Sequence, residues 1–203
     1  MAYRRTAAVE QRLEDRRAAI AAAAVALLSE HGYRALSIAA VAERAGVATG
    51  TVYRHYTDKS DLMVRIFRDL CAREVEAVTA AASAAGSGTG KVAAIVETFA
   101  QRALRNPRLA YTLLAEPVDA ALDAERLVLR RAFAAAFADA IGYGIGTGEF
   151  PEQDTGLAAA ALVGAVGEVL TDPLHTGAAA TGTVPDLTAV YYTHLRAHET
   201  CAD

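Results

Sequence analysis

"SIAAVAERAGVATGTVYRHYTDKSDL", residues 37–62, predicts two short helices joined by a tight turn. Ser37 suits the N-cap of the first helix, because its hydroxyl can accept a hydrogen bond from a backbone N–H of the first turn. Apolar residues then recur at the helical positions i, i+3, i+4 and i+7, which are Ile38, Val41, Ala42 and Ala45. Gly46 follows at the position where a left-handed residue commonly ends a helix. We therefore expect the first helix over residues 38–45.

The second helix of this stretch is predicted over residues 49–56, with Val52, Tyr53 and Tyr56 facing inward. Its outward positions carry hydrogen-bonding or cationic side chains: Thr49, Thr51, Arg54 and His55. Gly50 has no side chain and would let the backbone approach a partner closely. Such a pair is typical of a helix-turn-helix, in which the first helix braces the second in the major groove of DNA. Spacing alone fits a solvated helical hairpin equally well.

Charge is distributed unevenly along the 203 residues. The whole chain has a formal net charge of −4, which does not by itself suggest a nucleic-acid binder. Residues 1–68, however, contain eleven Lys or Arg against seven Asp or Glu, whereas residues 69–203 contain nine against seventeen. A basic front and an acidic rear indicate that only the front of the chain meets a polyanion.

The longer segment LSIAAVAERAGVATGTVYRHYTDKSDLM, residues 36–63, closely resembles the DNA-binding signature of TetR-type transcriptional regulators. The matching elements are the N-cap, the A-G-V turn, the G-T-V-Y-R-H-Y segment and the K-S-D-L segment after it. The resemblance covers about residues 14–70, including the preceding helix with its exit HGYRALS. So many positions at the correct spacing make the resemblance specific, whereas the rear half agrees only in helix order and length.

The resemblance assigns DNA contacts to individual residues. The recognition helix that such regulators insert into the major groove corresponds here to Thr49, Gly50, Thr51, Tyr53, Arg54 and His55. Ser37 corresponds to an N-cap residue that contacts a phosphate, and Lys59 to a lysine for which a phosphate contact is also expected. Ala48 stands where many such regulators have serine, so one cap or phosphate hydrogen bond is expected to be absent.

For the whole chain, the resemblance implies an all-α protein with two domains. Residues 1–58 would form an N-terminal three-helix helix-turn-helix DNA-binding domain, a connecting helix would span about 58–85, and residues 86–203 would form a C-terminal helical bundle for ligand binding and dimerisation. The implied function is a ligand-responsive transcriptional repressor in the bacterial cytoplasm, associated with the nucleoid when bound to DNA. It would bind a palindromic double-stranded DNA operator as a homodimer and be released by a small-molecule effector. No cofactor, metal or membrane is expected.

Apolar periodicity predicts helices throughout the rear of the chain and no strand. The predicted segments are 58–85, 91–104, 108–117, 118–145 and 154–170, the last of them a buried helix that ends before Pro173. Seven residues are candidates to line an effector cavity: Phe99, Tyr111, Glu116, Phe133, Phe137, Val163 and Glu168. For each apolar candidate, packing in an ordinary core remains an alternative. The two carboxylates fall on otherwise apolar stretches, and a buried carboxylate needs a partner, which a ligand could supply.

Two glycine-rich segments could suggest a nucleotide-binding loop, but neither matches the pattern of one. GSGTGK, residues 86–91, lacks the first glycine and the magnesium-binding hydroxyl of a phosphate-binding loop, since Ala85 and Val92 occupy those positions. GYGIGTGEF, residues 142–150, follows no strand, so a frayed helix end and a turn are expected there. No nucleophile–base pair is evident elsewhere, which argues against an enzyme.

The C-terminal tail fits the prediction least well. From about Val190 the apolar periodicity expected of a final dimerising helix is lost, so the tail is suspected to be non-native. His194, His198 and Cys201 have a spacing that could hold zinc on one helix face, but a fourth ligand is missing. The competing interpretation of the whole chain is an all-α small-molecule binding protein or enzyme that does not bind DNA.

Overall fold

A computed structural model describes residues 7–177 of the chain, with side chains from Glu10 onward. Within that range the regular elements are all helical: α1 (Ala7–His31), a 3-10 turn (Tyr33–Ala35), α2 (Ile38–Arg44), α3 (Thr49–Tyr53), α4 (Lys59–Ala84), α5 (Gly88–Arg105), α6 (Pro107–Leu114), α7 (Ala120–Gly146) and α8 (Thr155–Thr176). The predicted all-α fold is therefore confirmed. The predictions made for the tail from Val190, including the spacing of His194, His198 and Cys201, lie outside the described residues.

The front of the chain forms a small helical unit around one apolar core. α1 ends at His31 because Gly32 adopts a φ of 75°, a conformation that favours glycine. The core residues that α1, α2, α3 and α4 contribute are completely buried: Ile20, Leu28, Val41, Val52 and Leu62. α2 and α3 are consequently held together and against α1.

α4 joins the front unit to the rear helices as one continuous helix of 26 residues. Two hydrogen bonds close its N-terminus: Asp58 accepts from the Asp61 N–H at 2.8 Å, and Asp61 accepts from the Thr57 N–H at 3.0 Å. This arrangement is a variant of the capping box with aspartate at both positions. The start of α4 is therefore fixed immediately after the segment that carries α3.

The glycine-rich segment before α5 belongs to a capped helix start. α5 begins at Gly88, three residues earlier than predicted, and the Ser87 hydroxyl accepts from the Gly90 N–H at 3.0 Å. The Glu149 carboxylate accepts from the N–H groups of Gly88 and Thr89 at 2.8 and 3.1 Å. The amides that a phosphate-binding loop would offer to an anion are thus bonded to a carboxylate of the protein itself.

α5 and α7 cross at two glycines. A Cβ atom added to Gly88 would lie 2.4 Å from the Gly144 Cα, so only glycine permits this approach of the two backbones. α7 accordingly continues as a regular helix to Gly146, and the expected fraying from residue 142 is not observed.

Capping residues also fix the starts of α6 and α7. Asn106 Oδ1 accepts from the Leu109 N–H at 3.2 Å, and Asp119 Oδ1 accepts from the Leu122 N–H at 3.0 Å. Because Asp119 is the N-cap, α7 begins at Ala120, two residues later than predicted. The α6–α7 connection, residues 115–119, therefore has its own conformation next to the front unit.

α8 differs most from its prediction. It continues through Pro173 and ends before Gly177, whose φ is 68°. Only one stripe of it is buried, formed by Ala159, Leu162, Val166, Leu170 and Leu174. The rest of α8 is mostly apolar and open to solvent, with Leu157 72% and Val169 48% exposed, and it also carries the exposed carboxylates Glu168 and Asp172. By length and composition α8 could also cross a membrane, although only 28% of its most apolar window is buried. The prediction of a buried helix was wrong, because apolar composition does not reveal whether this chain or another molecule covers a face.

Candidate functional site

α2 and the turn after it position α3. Ser37 is the N-cap of α2, and its Oγ accepts from the Ala40 N–H at 3.1 Å. In the turn, Gly46 has a φ of 65°, and the Val47 N–H donates to the Ala42 carbonyl at 3.0 Å. The predicted cap and the predicted left-handed glycine are therefore both present, and they set the direction in which the chain enters α3.

α3 is shorter than predicted, because Arg54 and His55 form a turn rather than a last helical turn. The His55 N–H donates to the Val52 carbonyl at 2.9 Å, three residues back, which tightens the backbone here. Tyr53, which was also predicted to face inward, is 56% exposed, whereas Val52 and Tyr56 are 0% and 3% exposed, which confirms their predicted inward positions. These two side chains hold the segment down at both ends.

The opposite side of this segment is the recognition surface, which we define as Thr49, Gly50, Thr51, Tyr53, Arg54 and His55. Within the described part of the chain, no hydrogen bond or ion pair engages the side chain of Tyr53 or Arg54. A Cβ atom added to Gly50 would meet nothing within 4 Å, so the missing side chain serves no packing inside the chain. Unpaired donors and acceptors beside an open backbone are the features by which a helix reads base edges.

Two residues next to the recognition surface, Ala48 and Arg44, show which groups are available for a phosphate contact and which are not. Ala48 is the N-cap of α3 and supplies no side-chain hydrogen bond, as expected from its identity. Arg44 on α2 makes a two-pronged contact with the Glu30 carboxylate, one of whose bonds measures 2.6 Å. Its guanidinium is therefore engaged within the front unit.

Lys59 is also engaged within the protein. Its Nζ donates to the Tyr33 carbonyl at 3.0 Å and lies 3.9 Å from the centroid of the Tyr33 ring. Burial lowers the pKa of Lys59, and the charges of Asp119 and Glu116 oppose that shift. This position gives no support to the predicted phosphate contact, and it places the ammonium between the front unit and the rear helices.

Lys59 belongs to a polar cluster, here called the junction, which comprises Tyr33, Lys59, Glu116 and Asp119. The Tyr33 N–H donates to Glu116 Oε2 at 3.0 Å, and the Tyr33 hydroxyl donates to Asp119 Oδ2 at 2.5 Å. The hydrogen bond from Tyr33 lowers the pKa of Asp119, while burial and that carboxylate raise the pKa of the Tyr33 hydroxyl. The junction ties the exit of α1 and the start of α4 to the α6–α7 connection.

Next to the junction, α5, α6, α7 and α8 surround a cavity of about 1110 Å³. Five of the seven predicted cavity residues line it: Phe99, Phe133, Phe137, Val163 and Glu168. The rings of Phe99 and Phe133 pack edge to face with centroids 4.9 Å apart. Three arginines of α7 line the same cavity, at residues 126, 130 and 131. Its size, apolar walls and few charged groups are typical of a small-molecule site.

The structure corrects three of the cavity predictions. Glu116 is buried but lies in the junction, where Tyr33 and Thr112 donate to it, so its burial does not require a ligand. The Tyr111 ring packs against the His175 ring, with centroids 4.7 Å apart, and does not line the cavity. Glu168 lines the cavity from the exposed face of α8 and is not buried.

Sequence reasoning missed Arg126 and Tyr33. Arg126 falls on the inward stripe of α7 with Leu122 and Phe133, and its side chain is 13% exposed. The sequence did contain a signal for Arg126, which is a single arginine on an apolar stripe. Such a guanidinium is buried with the stripe and must find hydrogen-bond acceptors there. Tyr33 had no local signal, since its carboxylate partners lie 83 and 86 residues further along the chain.

The front unit matches a known protein family. Residues 20–66 match the family described as bacterial regulatory proteins, tetR family. The HTH-type transcriptional repressor KstR of Mycolicibacterium smegmatis is 37% identical over 99 residues, which cover 47% of this chain and 47% of that protein. The matched region spans less than half the length of the curated relatives.

Comparison with solved structures extends the likeness to the rear helices. The fatty acid degradation regulator FadR of Bacillus halodurans has a TM-score of 0.78 and 24% identity, covering 89% of this chain and 96% of that one. FadR of Bacillus subtilis, solved in complex with stearoyl-CoA, has a TM-score of 0.78 and 20% identity, covering 89% and 98%. At these identities the likeness establishes the fold.

Proposed function

We propose that this chain, which belongs to the TetR family of bacterial regulatory proteins, is a DNA-binding transcriptional repressor controlled by a small molecule. The recognition surface carries the proposal, because its side chains are held outward without partners among the described residues. KstR, which is similar through this region, is a transcriptional repressor by name. We assign DNA binding to residues 1–58 and regulation to residues 86–203, joined by α4.

Within the recognition surface, we assign base contacts to Arg54 and the residues of α3. Arginine can donate two parallel hydrogen bonds to guanine in the major groove, and threonine hydroxyls can donate or accept. Ser37 is assigned a phosphate, since its oxygen accepts from Ala40 while its hydroxyl hydrogen remains free to donate. Lys59 is assigned to the junction instead.

Dimerisation is assigned to the exposed face of α8. Contiguous apolar surface of this kind marks an interface, and a second copy of the same helix would cover it by two-fold symmetry. The buried stripe of α8 lies against the rest of the chain, which argues for a helix of the folded domain rather than a membrane span. Two recognition surfaces would then read a palindromic operator with half-sites about 34–36 Å apart or somewhat further.

The effector is assigned to the cavity between α5, α6, α7 and α8. Bacillus subtilis FadR, which shares this fold, was solved with stearoyl-CoA, so acyl-CoA thioesters are the first compounds to test. An effector releases DNA only to the extent that it binds the DNA-free conformation more tightly than the DNA-bound one. This repressor would act in the cytoplasm, on the nucleoid.

The competing function is an all-α binding protein or enzyme that does not bind DNA. Gel-shift assays of the purified dimer at low salt, against its own upstream region and a random duplex pool, separate the two. We expect selection of a palindrome from the pool and release on adding an effector. A folded dimer that retains no duplex at low salt overturns the repressor proposal.

A further inference from the structure

One part of the cavity wall is rich in guanidinium groups. α7 places Arg126 and Arg130 one turn apart, with Arg131 beside them, and all three line the cavity. The carboxylates on the same wall belong to Asp123 and Glu168. Asp123 already pairs with Arg126 at 3.0 Å, and its side chain is 63% exposed. Among residues 10–177, neither Arg130 nor Arg131 makes an ion pair.

Arg126 has a second set of contacts, which it makes with backbone carbonyls. Its Nε donates to the Leu113 carbonyl at 2.8 Å, and its Nη2 donates to the carbonyls of Thr112 and Glu116 at 2.8 and 2.7 Å. These carbonyls lie at the C-terminal end of α6, where a helix leaves its last acceptors unpaired. Arg126 therefore holds the end of α6 in place. Burial and the nearby Arg130 both lower the pKa of Arg126.

The segment that Arg126 holds is also the rear half of the junction. Glu116, whose carbonyl accepts from Arg126, uses its carboxylate to accept from the Tyr33 N–H. Asp119, three residues further, accepts from the Tyr33 hydroxyl. A continuous set of contacts thus leads from the cavity wall through residues 112–119 to the exit of α1 and the start of α4.

We infer that the effector is a largely apolar molecule with one anionic group, a phosphate or a carboxylate, and that Arg126 both binds this group and transmits its presence to the front unit. A planar guanidinium fits either anion with two parallel bonds. The bonds from Arg126 to the three carbonyls already have a charged donor, and an anion adds a full opposite charge on the acceptor side, so the anion draws Arg126 away from the end of α6. The junction loses its support, and the position of the front unit changes. This inference rests on the proposed function and names its effector class.

The test uses the full chain with three twelve-carbon probes: dodecyl phosphate, dodecanoate and dodecan-1-ol. Calorimetry without DNA measures probe binding, and gel shifts of the selected operator with and without saturating probe measure coupling. The variants are Arg126→Met, Arg130→Met and, as a matched control, Arg73→Met on the exposed surface of α4. We expect the wild type and Arg73→Met to bind at least one anion about tenfold or more tighter than the alcohol, and to lose operator affinity by a similar factor.

Arg130→Met should weaken anion binding and keep the coupling, whereas Arg126→Met should lose both. If Arg126→Met melts early by circular dichroism, Arg126→Lys, which keeps the charge without the planar fork, should bind the anion with reduced coupling. Equal binding of alcohol and anions by the wild type, or unchanged coupling in both Arg126 variants, overturns the inference. Because probe binding is measured without DNA, a chain that binds anions through Arg126 but no duplex overturns the repressor proposal instead.

Discussion

α3 and α8 both present exposed faces, but the chemistry of the two faces is opposite. The recognition surface offers hydroxyls, an imidazole and a guanidinium around a helix of five residues. α8 offers mainly alanine, glycine, leucine and valine along 22 residues, with Glu168 and Asp172 as its exposed charges. Unpaired polar groups can form hydrogen bonds with a polar partner such as the base edges of DNA. An apolar surface is instead stabilised by an apolar partner that removes it from contact with water.

The two faces depend on each other in the proposed dimer. Pairing through α8 fixes the distance between the two recognition surfaces, and only a matching distance lets both reach their half-sites. The second surface then binds at a high effective concentration, so the loss of pairing weakens DNA binding without touching a DNA contact. Substitutions on the α8 face should therefore weaken dimerisation and DNA binding together, whereas substitutions on the recognition surface should weaken DNA binding alone.

The largest effect is expected from Ala165→Arg on the exposed face of α8. Pairing would force a long charged side chain from each copy into a closely packed, mainly apolar contact, at a cost of several kcal/mol. We expect dimerisation to weaken by about 100-fold or more in sedimentation equilibrium, and operator binding to fall with it. Ala80→Arg, at an exposed position of α4, is the control and should leave both unchanged. An intact Ala165→Arg dimer would remove α8 from the interface.

Arg54→Ala should have the next largest effect. Loss of a base contact costs about 1–3 kcal/mol and relaxes the preference at one base pair in each half-site. Binding to a panel of operators with single changes checks this, with Arg73→Ala as the control for a lost positive charge. Equal weakening on every operator would show that Arg54 contacts the backbone and not a base.

The same contrast explains how much could be predicted from the sequence. The helix-turn-helix is specified locally: Ser37, Gly46 and the inward pair Val52 and Tyr56 lie within 20 residues and follow known spacing rules. Its main error was the length of α3, where Arg54 and His55 leave the helix. Helix ends are the least certain part of such predictions, because competing turn geometries differ little in energy.

The cavity and the junction depend on how distant helices rotate against each other. Sequence periodicity identified Phe99 and Phe133 as inward-facing but could not tell that Glu116 would meet Tyr33 rather than a ligand. Burial of Glu116 followed from its neighbours, whereas one of its two donors, Tyr33, came from a segment 83 residues away. For α8, the apolar sequence could not reveal that part of the helix surface would be left uncovered by this chain.

Tyr33→Phe probes the junction and should have an intermediate effect. Removing the hydroxyl that donates to Asp119 should lower the free energy of unfolding at neutral pH by about 1–2 kcal/mol. Because this bond lowers the pKa of Asp119, its contribution is complete above the unfolded-state pKa of about 4 and is lost as the pH falls through the lower folded-state pKa.

Urea denaturation from pH 7 down to about pH 3 measures this effect as the difference between wild type and Tyr33→Phe, which should shrink in acid. Tyr143→Phe is the matched control, since the Tyr143 hydroxyl donates to the neutral Gly86 carbonyl at 3.3 Å. Its effect should be smaller and independent of pH. A difference for Tyr33→Phe that stays constant into acid would show that Asp119 is not the acceptor that matters.

Lys59→Met should leave the salt dependence of DNA binding unchanged, although lysine at this position was expected to contact a phosphate. Each phosphate contact contributes about 0.9 to the slope of log K against log salt. Because the Lys59 ammonium donates to the Tyr33 carbonyl, we expect that slope to stay as in the wild type. Gel shifts over a series of salt concentrations measure it, with Arg73→Met as the control. A slope lower by about one would show that Lys59 leaves the junction on the operator and contacts a phosphate there.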